Sequence, residues 1–312
     1  MLGLPTTRAA LRRLVGDLRQ LASVRRITLD DGVEHGLRAL AFSTGGGLDF
    51  WVLADRALDL GPLWFRGVQL GWQAPSGFAH PALLERLDDK GRGVERWFSG
   101  LLMTCGLDHL RQPAGEVLHG HLPLTPARVS AYGEDWERDT PVLFCAGEVT
   151  QSRVNGEAWR LHRRIEAPIG GTTLTLHDRV ENLLGEPRCF GLMHHVNFGF
   201  PLVQDGARVT LNGTTLFALD LADTGPRIRC VPSGGPEASC TVAAPGFSAT
   251  LAYDGAALPF LQLWHNLDPA TRVVAFEPCT SERLADGSSG PEPELASGAS
   301  FSVSLTLSFA GS

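Results

Sequence analysis

The ten histidines are unevenly placed: His119 and His121 flank Gly120, His194 and His195 are adjacent, and His265 follows Trp264. Alternate residues of a strand share a face, so His119 and His121 could point together, with Glu277 as a further ligand to a metal. A His-x-His pair with no definite third ligand falls short of a zinc pattern, and the plainer reading packs one histidine in the core and solvates the other. No metal is expected. The segment Gly191–Leu202 (GLMHHVNFGFPL) sets His195 and Asn197 two apart in an otherwise apolar run, which puts both on one side of a strand. Burying an imidazole or an amide unsatisfied costs roughly 1–3 kcal/mol, so the two must bond the backbone or line a cavity holding a polar ligand. Gly199 and Pro201 end that strand at a rim. Glu277 follows the apolar run 273–276 and is fixed by Pro278, a lone carboxylate at the end of a buried strand. The plainer reading of Glu277 is a solvated charge at a strand end.

The elements that must carry these groups are mostly strands. Residues 8–22 place Leu11, Leu14, Val15, Leu18 and Leu21 on one helical face, with Thr6 or Thr7 as N-cap, so one amphipathic helix is expected to open the chain. Beyond it, short alternating or β-branched runs are separated by Gly, Pro, Asn or Asp: residues 37–42, 48–53, 142–144, 172–180, 209–211, 247–253, 258–264 and 273–276. The last run is the cleanest, because Phe301, Val303, Leu305, Leu307 and Phe309 alternate with Ser302, Ser304, Thr306 and Ser308. Thirty-six glycines and twenty prolines fit many tight turns, and no strand–helix alternation points to a parallel sheet. The expected architecture is all-β, a large antiparallel sandwich formed as a single domain over residues 1–312, with residues 1–25 as a helical extension. A short helical patch is expected near Pro81–Arg86. The Gly/Ser/Pro/Glu stretch at Asp286–Glu294 reads as an exposed loop.

Composition narrows the function. Hydrophobic residues make up 43% and charged residues 20%, with no apolar run near the ~18 residues of a membrane span, so a soluble globular protein with no membrane partner is expected. The net charge of −7 offers no field for a phosphate backbone, which sets nucleic acid aside. Six cysteines without a C-x-x-C pair read as reduced, mostly buried thiols. The N-terminus lacks the apolar core of a secretory signal, so the cytoplasm is the expected location. The sandwich faces and the opening helix are compatible with a monomer or a homodimer.

Six ordered segments carry a resemblance: VGDLRQ (15–20), DRALDLG (55–61), GLLMTCG (100–106), LHGHL (118–122) with TPA (125–127), HVNFGFPL (195–202) and FEP (276–278). Together they resemble the aldose 1-epimerase-like family known as domain of unknown function 4432, over nearly the whole chain. That family is similar to the galactose mutarotases, so the resemblance implies a large antiparallel β-supersandwich with a sugar cleft across a concave sheet. It further implies that His195 is the acid that protonates a ring oxygen and Glu277 the general base. It also gives His119 a place near the anomeric carbon and Arg56 a grip on sugar hydroxyls. Where the mutarotase block has Tyr and Asn, this chain has Asn197 and Gly199, so Asn197 is a substrate contact of altered kind. Trp264 or Trp72 would offer an apolar face to the sugar ring.

The implied function is a cofactor-independent carbohydrate isomerase that interconverts the anomers of an aldose or modified monosaccharide by ring opening. Removing the anomeric hydroxyl proton and delivering one to the ring oxygen needs only a base and an acid. The same pair would also serve proton abstraction next to a keto group, and the same cleft would also serve a non-catalytic carbohydrate-binding module. A phosphorylated substrate would call for arginines near the cleft, and Arg111, Arg128, Arg163 and Arg164 stand as contributors.

Overall fold

The computed structural model describes residues 7–85 and 87–311. Strands dominate, and every paired strand in the three larger sheets is antiparallel. The largest sheet has nine strands in the order 214–218, 208–211, 237–244, 247–254, 300–311, 173–182, 158–168, 142–152 and 128–135. A five-stranded sheet runs in the order Ser23–Thr28, Arg38–Ser43, Leu48–Leu53, Asp59–Phe65 and Val68–Gln69. A second five-stranded sheet is ordered Pro226–Pro232, Phe260–Asn266, Val273–Cys279, Gly191–Phe198 and Leu102–Leu107. The runs expected as strands lie in or overlap these elements, and the alternating segment near the C-terminus forms the strand Ser300–Gly311 between two neighbours.

One apolar core joins the three sheets. Leu63 and Phe65, Val196 and Phe198, and Leu161 and Leu305 belong to a single buried cluster. The sheet that contains Gly191–Phe198 is covered on its other face too, where Met103, Cys105, Met193 and Cys279 pack against Val94, Leu110 and Leu124 from the loops. Its strands Leu102–Leu107, Gly191–Phe198 and Val273–Cys279 are therefore buried at every position. A polar side chain there must find a partner or face a cavity.

The opening segment departs from expectation. The α-helix covers only Arg8–Leu11, a 3₁₀ turn covers Leu18–Gln20, and residues 23–28 are a strand. Gly16 interrupts the leucine pattern, and the Asp17 side chain accepts from the Arg19 N–H to start a new turn. Leu11 and Leu18 are buried while Leu14 is exposed, so the apolar stripe is divided between two short pieces. Thr7 stands before the helix without a side-chain cap, and Thr6 lies outside the described residues. Near Pro81 the helical patch is a single 3₁₀ turn, Pro81–Leu83, and Arg86 lies outside the described residues. Among the described residues, no helix is long and apolar enough to cross a membrane.

Candidate active site

Strand register brings three polar residues into one row. Gln262 is the cross-strand partner of Glu277. Met193 pairs with Cys279 and Val196 with Phe276, so the same register sets His195 opposite Glu277. Side chains alternate across a strand: Phe276 enters the core cluster while Glu277 faces the opposite side, and Leu261 and Leu263 enter the core while Gln262 and Trp264 face out with Glu277. The adjacent histidines divide in the same way. His194 Nε2 bonds Asp178 Oδ2 at 2.8 Å on the nine-stranded sheet, and His195 faces a cavity of about 330 Å³. That volume is near the lower end for small-molecule sites and suits one sugar ring.

The hydrogen bonds fix the chemical state of this row. Asn197 Nδ2 donates to the carbonyls of Gly100 and His195, which leaves Oδ1 to accept from His195 Nδ1 at 2.7 Å. The His195 proton therefore sits on Nδ1, and the lone pair of Nε2 points toward Glu277 Oε1, 3.3 Å away. Glu277 Oε2 accepts from Gln262 Nε2, and Gln262 Oε1 accepts from Arg111 Nη2 at 3.3 Å. Oε1 is buried and accepts no hydrogen bond from a described residue. Burial pushes the Glu277 carboxyl up to about 8 and holds the His195 imidazole well below its ordinary value. Both shifts favour the proton on Glu277 and a neutral His195, the arrangement in which an Oε1–H can face the open Nε2.

His119 reaches the cavity from a loop. Its ring centroid lies 5.6 Å from that of His195, and its Nδ1 donates to the Leu110 carbonyl at 3.2 Å, leaving Nε2 unprotonated. Burial holds its pKa down to about 4. Gly120 makes this placement feasible, because at φ +73° a Cβ there would come within 2.6 Å of Asp108 Oδ1 and of the Gly106 and His109 carbonyls. His121 turns the other way and bonds Asp108 Oδ2 at 2.6 Å. The two histidines lie in a loop rather than on a strand and share no face, which removes the expectation that both could turn toward Glu277 and a common metal.

Two expected substrate contacts stand behind the cavity wall. Asn197 orients His195 and does not line the cavity. Arg56 is buried and donates to the carbonyls of Trp97 and Ser99. The residue between those carbonyls, Phe98, lines the cavity with its ring 4.9 Å from His195 and 6.0 Å from Trp264. Arg56 thus holds the Phe98 segment. Of the two tryptophans, Trp264 lines the cavity, whereas Trp72 packs behind Phe98 and donates Nε1–H to the Thr271 carbonyl. Of the four arginines expected near a cleft, only Arg111 reaches it. Arg163 is buried between the sheets, while Arg128 and Arg164 pair with Glu148 and Glu166 on the nine-stranded sheet. Sequence reasoning missed Gln262, Phe98, Arg92 and Arg283, as well as Asp286–Ser288 in the loop read as merely exposed. Gln262 alone left a signal, an amide inside an apolar run two residues before Trp264.

Comparison with known proteins supplies a family and a fold. A family model described as a domain of unknown function, DUF4432, matches residues 34–225. No curated protein matches the chain. A solved structure from Klebsiella pneumoniae, described as a candidate aldose 1-epimerase, is 21% identical with a TM-score of 0.83, covering 94% of this chain and 86% of its own. A galactose mutarotase-like protein from Clostridium acetobutylicum is 13% identical with a TM-score of 0.60, covering 93% and 98%. A candidate aldose 1-epimerase from Escherichia coli K12 is 15% identical with a TM-score of 0.57, covering 86% and 97%. At these identities the likeness establishes the fold, a galactose mutarotase-like antiparallel β-sandwich.

Proposed function

The chain belongs to the DUF4432 family, and from that premise we propose that it is a carbohydrate isomerase interconverting the anomers of a monosaccharide by acid–base ring opening, with Glu277 and His195 as the catalytic pair. The observation that carries the reading is the buried Glu277–His195 contact of 3.3 Å at the wall of a ring-sized cavity. The anomeric hydroxyl and the ring oxygen share one carbon, so an acid and a base on the wall of one ring-sized cavity can serve both. The names of the similar structures, aldose 1-epimerase and galactose mutarotase-like protein, agree with this chemistry.

One proton moves in a cycle. The neutral His195 Nε2 removes the proton of one oxygen while the Glu277 carboxyl protonates the other, and the ring C–O bond breaks to give the open aldehyde. Rotation about C1–C2 presents the other face of the carbonyl. Reclosure returns both protons, with His195 giving and Glu277 taking, so Glu277 is the acid and His195 the base of the opening step, the reverse of the roles that the family resemblance implies. Asn197 keeps the reactive Nε2 turned to the substrate, and Trp264 and Phe98 supply the apolar wall for the ring.

Exchange NMR of anomer interconversion over a panel of monosaccharides tests the reading. Glu277→Gln and His195→Asn should each bring catalysis down by about 10²-fold or more toward the spontaneous rate, while sugar binding persists. Unchanged rates in both variants overturn the assignment. Solvent deuterium entering a ketose carbon without anomer exchange would transfer the pair to enolisation, and binding without turnover would leave a carbohydrate-binding module.

A further inference from the structure

The cavity is more cationic than ring opening of a neutral sugar requires. Three arginines line it, Arg92, Arg111 and Arg283, in a chain whose net charge is −7. Of the ionised carboxylates that also line it, Glu95 is the ion-pair partner of Arg92, and Asp286 accepts from the Ser288 N–H and Oγ–H and acts on Arg283 only from beyond ion-pair distance. Glu277 is kept neutral by its burial. Arg111 and Arg283 are left with no carboxylate at ion-pair distance among the described residues.

Arg111 is the more demanding case because it is 96% buried, with a relative exposure of 4%. Its hydrogen bonds go to Ser281 Oγ at 3.2 Å, Ser289 Oγ at 3.0 Å, the Ser281 carbonyl at 3.1 Å and Gln262 Oε1 at 3.3 Å, all of them uncharged. Its Nε–H is buried with no partner among the described residues. A buried guanidinium without a counter-ion is costly, and Arg163 shows what this fold provides where the charge is structural: two carboxylates, Asp59 and Asp178, both within 2.7 Å. Arg56 also has no carboxylate at ion-pair distance among the described residues, but it donates to two carbonyls beside a void of about 10 Å³, too small for a ligand. Arg111 differs in lining a cavity of ligand size.

Arg283 approaches from the loop on the same side. It is half-buried, and a Cβ on Gly287, at φ +88°, would lie 2.8 Å from its Nη2, so the glycine leaves room for the guanidinium against the loop. Arg111 holds that loop in place through Ser281 and Ser289 and connects to Glu277 through the single amide of Gln262.

We propose that the ligand of this cavity is an anionic monosaccharide whose carboxylate, sulfonate or phosphate is held by Arg111 and Arg283 within one sugar ring of the Glu277–His195 pair. The proposed isomerisation enters only in deciding which end of the sugar meets Glu277. The anion completes the charge of Arg111, and a planar guanidinium offers it paired, directional donors.

Binding and turnover are measured separately, so that the two readings fail separately. Calorimetric titration of the intact protein compares glucose with glucuronate, with 6-sulfo-6-deoxyglucose and with glucose 6-phosphate, and galactose with galacturonate, at low and high salt. At least one acidic sugar should bind about tenfold or more tighter than its neutral parent, as charge-assisted hydrogen bonds do, and the preference should weaken with salt. Whichever acid wins identifies the anionic group. Arg283→Gln, at a half-buried position, should reduce the preference severalfold or more, and Arg111→Gln should abolish it if the variant folds. Equal binding of acidic and neutral sugars, or a preference unchanged in Arg283→Gln, overturns the anionic ligand whatever the turnover assay shows. Tight, arginine-dependent binding of an acidic sugar with no anomer exchange would instead uphold the anionic ligand and overturn the isomerase.

Discussion

At the scale of single residues, the count of protons on Glu277 and His195 decides what the site can do. With the carboxyl pushed up to about 8 and the imidazole held well below its ordinary value, the pair holds one transferable proton across the neutral range. Above the upper value it has none, and the acid is lost. Far enough into acid it has two, and the base is lost. The expected kcat/KM profile is flat through neutrality, falls about tenfold per unit beyond an apparent pKa near 8, and has its acid limb below the ordinary histidine value of about 6.5. Both apparent values belong to the pair. An alkaline limb absent up to pH 9.5, or an acid limb at 6.5 or above, would show that the proton rests elsewhere. Stability carries the same signature. The folded carboxyl is raised above the ordinary 4.5, so the folded state binds a proton that the unfolded state has released between 4.5 and about 8, and stability falls as pH rises through that window. Glu277→Gln removes this penalty. Its Tm should match wild type near pH 5 and exceed it at pH 8.5; a difference that does not change with pH would mean Glu277 titrates normally in the fold.

Elements explain which residues were legible beforehand. The strand Ser300–Gly311 was legible because it has one wet face, and alternation records that directly. Gly191–Phe198 is buried on both faces, so only the polar interruptions at His195 and Asn197 reveal its outward side. The same logic exposed Glu277, although the strand runs on through Pro278 to Cys279 and so holds Glu277 inside it rather than at the strand end that the sequence suggests. Loops leave no such trace: Arg111, Arg92, Phe98 and Arg283 reach the cavity through contacts 150 or more residues apart in the Arg111 case, and nothing in local spacing encodes that. The opening helix was misread for a physical reason, since an apolar stripe of the right period does not outweigh Gly16 followed by a turn-starting Asp17. Arg56 teaches the complementary lesson, because a residue can sit in a family-like block and still act on the backbone. Its guanidinium holds the 97–99 segment, and so positions Phe98 against His195 and Trp264. Arg56→Met should lower kcat/KM by about tenfold or more through misplacement of that wall, with partial recovery in Arg56→Lys. Full activity in a correctly folded Arg56→Met protein would show that the segment holds itself.

Across the whole molecule, the site depends on a charge cluster on the far side of the same strand. Arg163, from the nine-stranded sheet, donates to Asp59 of one neighbouring sheet at 2.7 Å and to Thr104 Oγ1 of the site sheet at 2.8 Å. It also engages Asp178 on its own sheet, and Asp178 meets His194. One fully buried guanidinium therefore ties together three sheets, and one strand, Gly191–Phe198, presents His194 to that tie and His195 to the cavity. Burial alone would raise both carboxyls; it does raise Asp59, whereas Arg163 and His194 hold Asp178 well below the usual carboxylate range. Arg163→Met would leave two carboxyls buried without their cation, a change that typically costs about 3–5 kcal/mol. The loss must depend on pH. In the wild type, ionised Asp178 contributes stability that is present above the ordinary carboxylate value and is lost as pH falls toward its depressed one. In the variant both carboxyls lack their cation and favour the protonated form, so the variant loses stability as pH rises instead. Urea unfolding at pH 5 and pH 7.5 should therefore show a deficit that widens toward the higher pH, and His195-dependent catalysis should fail at denaturant concentrations where the wild type still works. A deficit under about 1 kcal/mol at both pH values would place the cluster among buried ion pairs that contribute little net stability, and the positioning of His195 would then rest on the apolar core and Asn197 alone.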